Sequence, residues 1–283
     1  MIYISTGLIG NQSAVKTSNY FINNGIKNIE LSGGTFESNI INKVKKLKKN
    51  AKFIFHNYFP PSKKPFTLNL ATLNNDIFKI CNEYIKNTIR FSNEIGAKFY
   101  SFHAGFLVDP KPEELGKKLI KRKINDRNIS MNIFLERLNN LSIFAKKEGV
   151  SLLIENNVIN KTNLKTYQKN PLLMTDSKEA LLIMKNTPSN VNLLIDVAHL
   201  KVSSKTLKFN PIKFLKDCDP WIKGYHLSDN DGKNDTNEKI KKNSWFWPYL
   251  KKSLEYYVLE INCADAASLV QQAQLTKKIL NSK

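Results

Sequence analysis

Acidic residues are scarce in this chain: 24 Asp and Glu stand against 44 Lys and Arg, giving a formal charge of +20 over 283 residues. Cysteine is scarcer still. Its three residues, Cys81, Cys218 and Cys263, lie far apart and form no C-x-x-C pair. That argues against a disulfide framework or a cysteine zinc knuckle and fits reduced thiols in a cytoplasm. No apolar run is long enough to span a bilayer. The start, Met1-Ile2-Tyr3-Ile4-Ser5, reads as a strand and lacks the basic opening and apolar stretch of a secretion signal, so a cytoplasmic protein with no membrane partner is expected. No Pro-, Ser- or Gly-rich linker and no internal repeat divides the sequence, so residues 1–283 are read as one domain. The absence of a G-x-G-x-x-G turn after the first strand weighs against a dinucleotide-binding open sheet.

The positive charge would suit a nucleic-acid partner if it were concentrated. It is spread instead over the whole chain. Lys45-Lys46-Lys48-Lys49, Lys146-Lys147 and Lys251-Lys252 fall on expected helices, where they read as solvated outer faces. The run from Lys117 to Lys123 stands apart because it falls in a long expected loop.

Short β-like runs alternate with helical stretches from end to end. The expected strands are Ile2–Ser5, Asn28–Leu31, Lys52–His56, Lys98–His103, Ser151–Glu155, Asn192–Asp196, Ile222–His226 and Tyr256–Glu260. Segments such as Ile77–Ile95, Ile129–Glu148 and Ala266–Leu280 carry apolar residues at helical spacing. The strands are apolar on both faces, as in Leu152-Leu153-Ile154, which predicts a parallel sheet covered by helices. Eight such units predict a single (β/α)8 TIM barrel of the α/β class. Long connections at 57–70, 104–127 and 228–245 are candidate binding loops.

The strand ends carry the chemistry. Seven of the eight strands end at an ionisable residue: Glu30, His56, His103, Glu155, Asp196, His226 and Glu260. The remaining histidine, His199, follows Asp196 by three residues. One such residue is ordinarily just the first solvated position. In a barrel, however, all C-terminal strand ends face one mouth. Converging carboxylates repel one another and are costly to desolvate unless a cation neutralises them. Imidazole with carboxylate suits a divalent ion.

The segments Phe55-His56-Asn57-Tyr58, Phe102-His103-Ala104-Gly105, Ile154-Glu155-Asn156-Asn157, Asp196-Val197-Ala198-His199-Leu200, His226-Leu227-Ser228-Asp229-Asn230-Asp231-Gly232 and Leu259-Glu260-Ile261 resemble those of the xylose isomerase-like TIM barrel superfamily. That group holds sugar and sugar-phosphate isomerases and epimerases and is related to endonuclease IV. The resemblance covers nearly the whole chain. It implies that Glu155, Asp196, His226 and Glu260 bind one divalent metal ion, with Mn2+ or Mg2+ favoured over Zn2+ or Co2+ because the set is rich in carboxylates. His56, His103 and His199 would line the substrate pocket or bind further metals as in the nuclease branch. Asn156 and Asn157 would hydrogen-bond substrate hydroxyls unless they serve only as a turn, and Asp229 would orient a ligand. Glu30 reads as a buried partner for a basic residue, outside the core site.

The expected reaction is metal-assisted proton transfer on a sugar or sugar phosphate, with Glu155 and Glu260 as the acid–base pair. A homo-oligomer is compatible with the sequence. The chain departs from the nuclease pattern: Asp235-Thr236-Asn237 places Asn where relatives carry a metal-binding His, and the D-x-C-H signature is missing. An endonuclease at abasic sites and a dehydratase or lyase on the same scaffold are the alternatives. Trp245 and Trp247 are candidates for an aromatic wall against a sugar ring or, more simply, for packing. Lys63, Lys64, Lys111, Lys201 and Lys205 are loop lysines that a phosphate would need and that solvent equally explains.

Overall fold

In the computed structural model, which describes residues 1–9, 12–263 and 265–282, eight parallel strands close into a barrel in chain order. They are β1 (Ile2–Ser5), β2 (Asn28–Ser32), β3 (Lys52–His56), β4 (Phe99–His103), β5 (Ser151–Glu155), β6 (Val191–Asp196), β7 (Ile222–Leu227) and β8 (Tyr256–Leu259). The expected strands agree within a residue at nearly every end. The helices α1 (Ala14–Asn23), α2 (Ile40–Leu47), α3 (Asn75–Ile95), α4 (Arg127–Lys147), α5 (Lys161–Tyr167), α6 (Ser177–Lys185), α7 (Val197–Leu207), α8 (Pro211–Cys218) and α9 (Ala266–Asn281) surround the barrel. No helix among the described residues is long and apolar enough to cross a membrane.

The two-residue period of each strand sorts its side chains. Phe53, Phe55, Tyr100, Phe102, Leu152, Ile154, Leu193 and Ile195 face outward into the core shared with the helices. Tyr3, Ile54, Leu153, Leu194, Tyr256 and Val258 fill the barrel interior as a separate cluster. Burying each aliphatic side chain there contributes roughly 1.5–3 kcal/mol. Two residues beyond Ile54, Leu153, Leu194 and Val258 stand His56, Glu155, Asp196 and Glu260, so the same period turns these inward above the apolar plug. Parallel register sets His103 beside Glu155 and Asp196 beside His226.

The lysine reading holds for Lys45, Lys46, Lys146 and Lys147, which lie in the last turns of α2 and α4. It fails at Lys251 and Lys252. They follow a short 3-10 turn rather than sitting on a helix, the chain turning extended at Leu250. Lys251 pairs with Asp219 at 3.3 Å.

Candidate metal centre and cavity

Four strand ends meet at one point. Glu155, Asp196, His226 and Glu260 each offer a ligand atom, and these atoms lie within 4.8 Å of one another. His226 Nδ1 is 3.2 Å from Glu155 Oε1 and 2.9 Å from Glu260 Oε2. Both Glu155 oxygens, Asp196 Oδ2 and His226 Nδ1 are buried without a hydrogen-bond partner. Buried polar atoms are seldom left unpaired, since each costs about 1–3 kcal/mol. Orphaned lone pairs that converge on one point are what a cation would satisfy, so the donor set fits a divalent metal.

The D-x-x-H spacing has a local cause. Asp196 ends β6 and caps α7: its Oδ1 accepts the backbone N–H of His199 at 2.7 Å, the ordinary N-cap to third-residue bond. That bond fixes the carboxylate and leaves Oδ2 for the cluster. Burial pushes the Asp196 carboxyl up to about 7, against the pull of His199 and with the added charge of Asp235, Glu155 and Glu260. Burial would also raise Glu155 and Glu260, but the imidazoles of His103, His226 and His56 around Glu155, and His226 and His56 beside Glu260, hold both carboxyls below their usual range.

Three histidines ring this cluster in different states. His199 Nδ1 faces the Asn156 carbonyl at 3.0 Å, and its Nε2 faces Asp235 Oδ2 at 3.0 Å. Both neighbours are acceptors, so both ring nitrogens carry protons. Burial disfavours that cation, but Asp196 and Asp235 outweigh it and raise the imidazole well above its usual value. His103 is the reverse: burial pushes it down to about 4, despite Glu155, and so it is neutral. His56 sits below them, its Nε2 accepting from Asn57 Nδ2 at 2.6 Å and its Nδ1 bonded to Ser101 Oγ at 2.9 Å.

Above the cluster opens a cavity of about 280 Å3. His56, His103, His199 and Glu260 form its floor, while Tyr58, Phe106, Lys117, Asn160 and Asp235 come from the loops around it. The long connections therefore do wall the site. The loop after β4 is built on Glu114, which is 4% exposed. Its carboxylate takes a forked pair from Arg122 at 3.1 and 2.6 Å and the backbone N–H groups of Lys111 and Ile120 at 2.7 and 2.8 Å. Burial acts against the charge, yet these bonds hold the Glu114 carboxyl down to about 2. Asn163 of α5 then grips Leu119 N and the Lys117 carbonyl. Glu114→Ala is expected to raise KM with little change in kcat, because it frees the cavity wall and not the floor. The fixed loop should persist above the unfolded carboxyl value near 4.5 and loosen as pH falls from there toward 2. Limited proteolysis of 104–126 against pH would check it; cleavage unaltered by the substitution would refute it.

Several expected residues stand elsewhere. Asn156 donates to the Asp196 carbonyl at 3.1 Å and accepts from Asp196 N at 2.8 Å, so both functions of its amide are spent on holding β5 to β6 rather than on a substrate hydroxyl. Asn157 lines the cavity, but its amide N–H donors go to the Gly105 and Leu173 carbonyls. Asp229 does not orient a cluster residue. It accepts from Lys201 Nζ at 2.6 Å and Ser244 Oγ at 2.7 Å, pinning the loop after β7. Lys205 is spent on the Asp231 carbonyl. Trp245 and Trp247 pack beside Phe246 and do not reach the cavity, whose aromatic wall is Tyr58 and Phe106. Glu30 is the buried partner of a basic group, as read, and that group is His226. No role is expected from sequence for Asn57, Lys117, Asn160 and Asn163; Asn57 stands in the segment around His56 and Lys117 in a loop-borne basic run, while Asn160 and Asn163 carry no signal.

A family model for the xylose isomerase-like TIM barrel matches residues 24–266, and the chain belongs to that family. No curated protein matches the chain. Among solved structures it is similar to a D-tagatose 3-epimerase-like protein (17% identity, TM-score 0.74, covering 99% of this chain and 96% of that one). It is also similar to D-psicose 3-epimerase with D-tagatose from Clostridium cellulolyticum H10 (13% identity, TM-score 0.70, covering 99% of each). A third is a Thermus thermophilus protein soaked with ZnCl2 (18% identity, TM-score 0.65, covering 98% of each). At these identities the likeness is one of fold.

Proposed function

We propose that the chain is a divalent-metal-dependent isomerase or epimerase of a sugar or sugar phosphate, acting by carboxylate-mediated proton transfer. The observation that carries this reading is the set of four convergent ligand residues with orphaned buried lone pairs, placed on the floor of a cavity of about 280 Å3. That size lies near the lower bound of small-molecule sites, roughly 300 Å3, and suits a monosaccharide better than a polymer. The structural neighbours named for ketose 3-epimerases support the same class of substrate.

When bound, the ion would polarise a carbonyl beside a hydroxyl and so acidify the neighbouring C–H. The protein's own groups divide the rest. Glu260 lines the cavity and its side chain is 14% exposed, whereas that of Glu155 is 0% exposed. Glu260 is therefore the carboxylate placed to take a proton from carbon, while Glu155 works from the floor as ligand and second acid–base group. His199, doubly protonated with its two N–H groups held by the Asn156 carbonyl and Asp235, stabilises developing negative charge on a substrate oxygen through its positive charge. Neutral His103 binds a hydroxyl. The hydrogen bond from Asn57 occupies the Nε2 lone pair of His56, which favours one ion over a second one held by His56, His103 and Glu155.

Elemental analysis of the purified protein and of a chelator-treated control tests the reading. Roughly one Mn, Mg, Co or Zn per chain is expected, together with thermal stabilisation on adding it back. Close to three zinc ions, with DNA binding that weakens steeply as salt rises, would favour the endonuclease instead. No retained metal and no stabilisation by any divalent ion would refute a metalloenzyme.

A further inference from the structure

We propose that Glu30, Tyr256 and Gly224 form a positioning unit beneath the ligand cluster, which fixes His226 with a protonated Nε2 and a bare Nδ1 turned toward the metal position. The inference rests on the metal-site reading above. Glu30 Oε2 lies 3.0 Å from His226 Nε2 and 2.6 Å from the Tyr256 hydroxyl, with all three side chains buried. An ionised carboxylate only accepts, so the proton on the ring must sit on Nε2. Once a cation takes the place of any second ring proton, Nδ1 is the lone-pair nitrogen, and it is the one lying among Glu155 and Glu260. Metal-binding imidazoles are commonly held this way, through the nitrogen that does not touch the ion.

The hydrogen bonds along this layer agree in direction, with the Phe55 carbonyl at 3.4 Å from Ser101 Oγ as the one competing acceptor. Asn57 Nδ2 donates to His56 Nε2 at 2.6 Å, which puts the His56 proton on Nδ1, facing Ser101 Oγ at 2.9 Å. Ser101 in turn can donate to the Tyr256 oxygen at 3.2 Å, because the Tyr256 proton is given to Glu30. A line of donors from β3, β4 and β8 thus ends on Glu30 of β2, and His226 of β7 reaches the same oxygen from the other side. Glu30 is the one acceptor that closes both arms. Its second oxygen, Oε1, is buried and unpaired, so this charge is costly to keep and its cost calls for a function.

Gly224 supplies the space. It is the inward position two residues before His226, and a Cβ there would stand 2.1 Å from Tyr256 Cδ1. Any side chain at 224 would push the Tyr256 ring off its place and break its bond to Glu30. The absence of a side chain on β7 and the bulk on β8 are thus one device.

The test compares wild type with Glu30→Gln, Tyr256→Phe and Gly224→Ala. Mn2+ and Zn2+ affinity is measured by calorimetry, and ring protonation is read by long-range nitrogen–proton spectra of 15N-histidine-labelled protein, both Zn2+-loaded and chelator-treated. Glu30→Gln is expected to weaken metal binding by about 10–100-fold and to let His226 populate the other tautomer; Tyr256→Phe should give a smaller loss of the same kind, and Glu30→Asp a partial rescue. A purely structural role would lower the melting temperature of the metal-free protein and leave affinity and tautomer alone, and that result would overturn the proposal. So would a wild-type His226 with a bare Nε2. If Gly224→Ala fails to fold, the Glu30 and Tyr256 variants still decide. If wild type binds no metal, the function proposed above fails, while the proton on Nε2 still reports on Glu30.

Discussion

Replacing Asp196 with Asn is expected to abolish metal retention and, in the same protein, to raise the melting temperature of the metal-free state. Asp196 Oδ2 is buried without a partner among three other ligand-type side chains. Without a cation that oxygen is a liability, because buried like charges cost more than their surroundings return. Asn keeps the useful half of the residue: its side-chain oxygen can still accept the His199 N–H, and it caps a helix as well as Asp does. What it removes is the charge. We expect a gain of about 1–3 kcal/mol in the metal-free protein, the usual penalty of a buried unsatisfied polar group, seen as a rise of several degrees by calorimetry. Glu155→Gln should lose metal in the same way, with activity falling to background in both. A variant that keeps a full complement of metal, or that melts below metal-free wild type, would remove Asp196 from the ligand set. The prediction follows a general trade: a site built to hold an ion is strained until it holds one.

The barrel was legible because its two signals are local. A period of two marks each strand, and an ionisable residue closing an apolar run marks the mouth. His56, His103, Glu155, Asp196, His226 and Glu260 could be listed as convergent from those facts alone. What could not be read was how each polar group is spent. Asn156 looks like a hydroxyl binder in Glu155-Asn156-Asn157, yet parallel pairing of β5 with β6 brings it against the Asp196 backbone. Asp229 sits in a motif beside His226, but a chain turning after β7 aims it at Lys201 and Ser244. Glu30 and Tyr256 are 226 residues apart, and only barrel closure joins them. Gly224 carries meaning only once the Tyr256 ring is seen to occupy its space. Loop walls were expected as a class, but which side chains enter the cavity depends on anchors such as Glu114 and Asn163, whose partners lie outside any sequence motif.

Glu260→Gln is expected to cost about 10²–10⁴-fold in kcat while much of the metal remains bound. The distinction from Glu155 rests on place. Glu155 touches four imidazoles and no solvent: His56 at 3.4 Å, His103 at 3.2 Å, His226 at 3.2 Å and His199 at 3.8 Å. Glu260 lies one residue beyond β8, tied to the barrel by its backbone N–H on the Leu227 carbonyl at 3.2 Å, with its carboxylate in the cavity. A Gln there can still offer an oxygen to an ion but cannot accept a proton from carbon. The measurement is deuterium uptake from D2O into a ketose at the carbon beside the carbonyl, run alongside kcat and metal content. Wild type should exchange label, Glu260→Gln should not, and Glu155→Gln should lose label and metal together. Exchange at the wild-type rate in Glu260→Gln would move the base to Glu155. If wild type instead releases water and returns no label to carbon, the carboxylates still act as proposed, but the reaction is that of a dehydratase, since the proton taken by Glu260 then leaves with hydroxide instead of returning to the sugar.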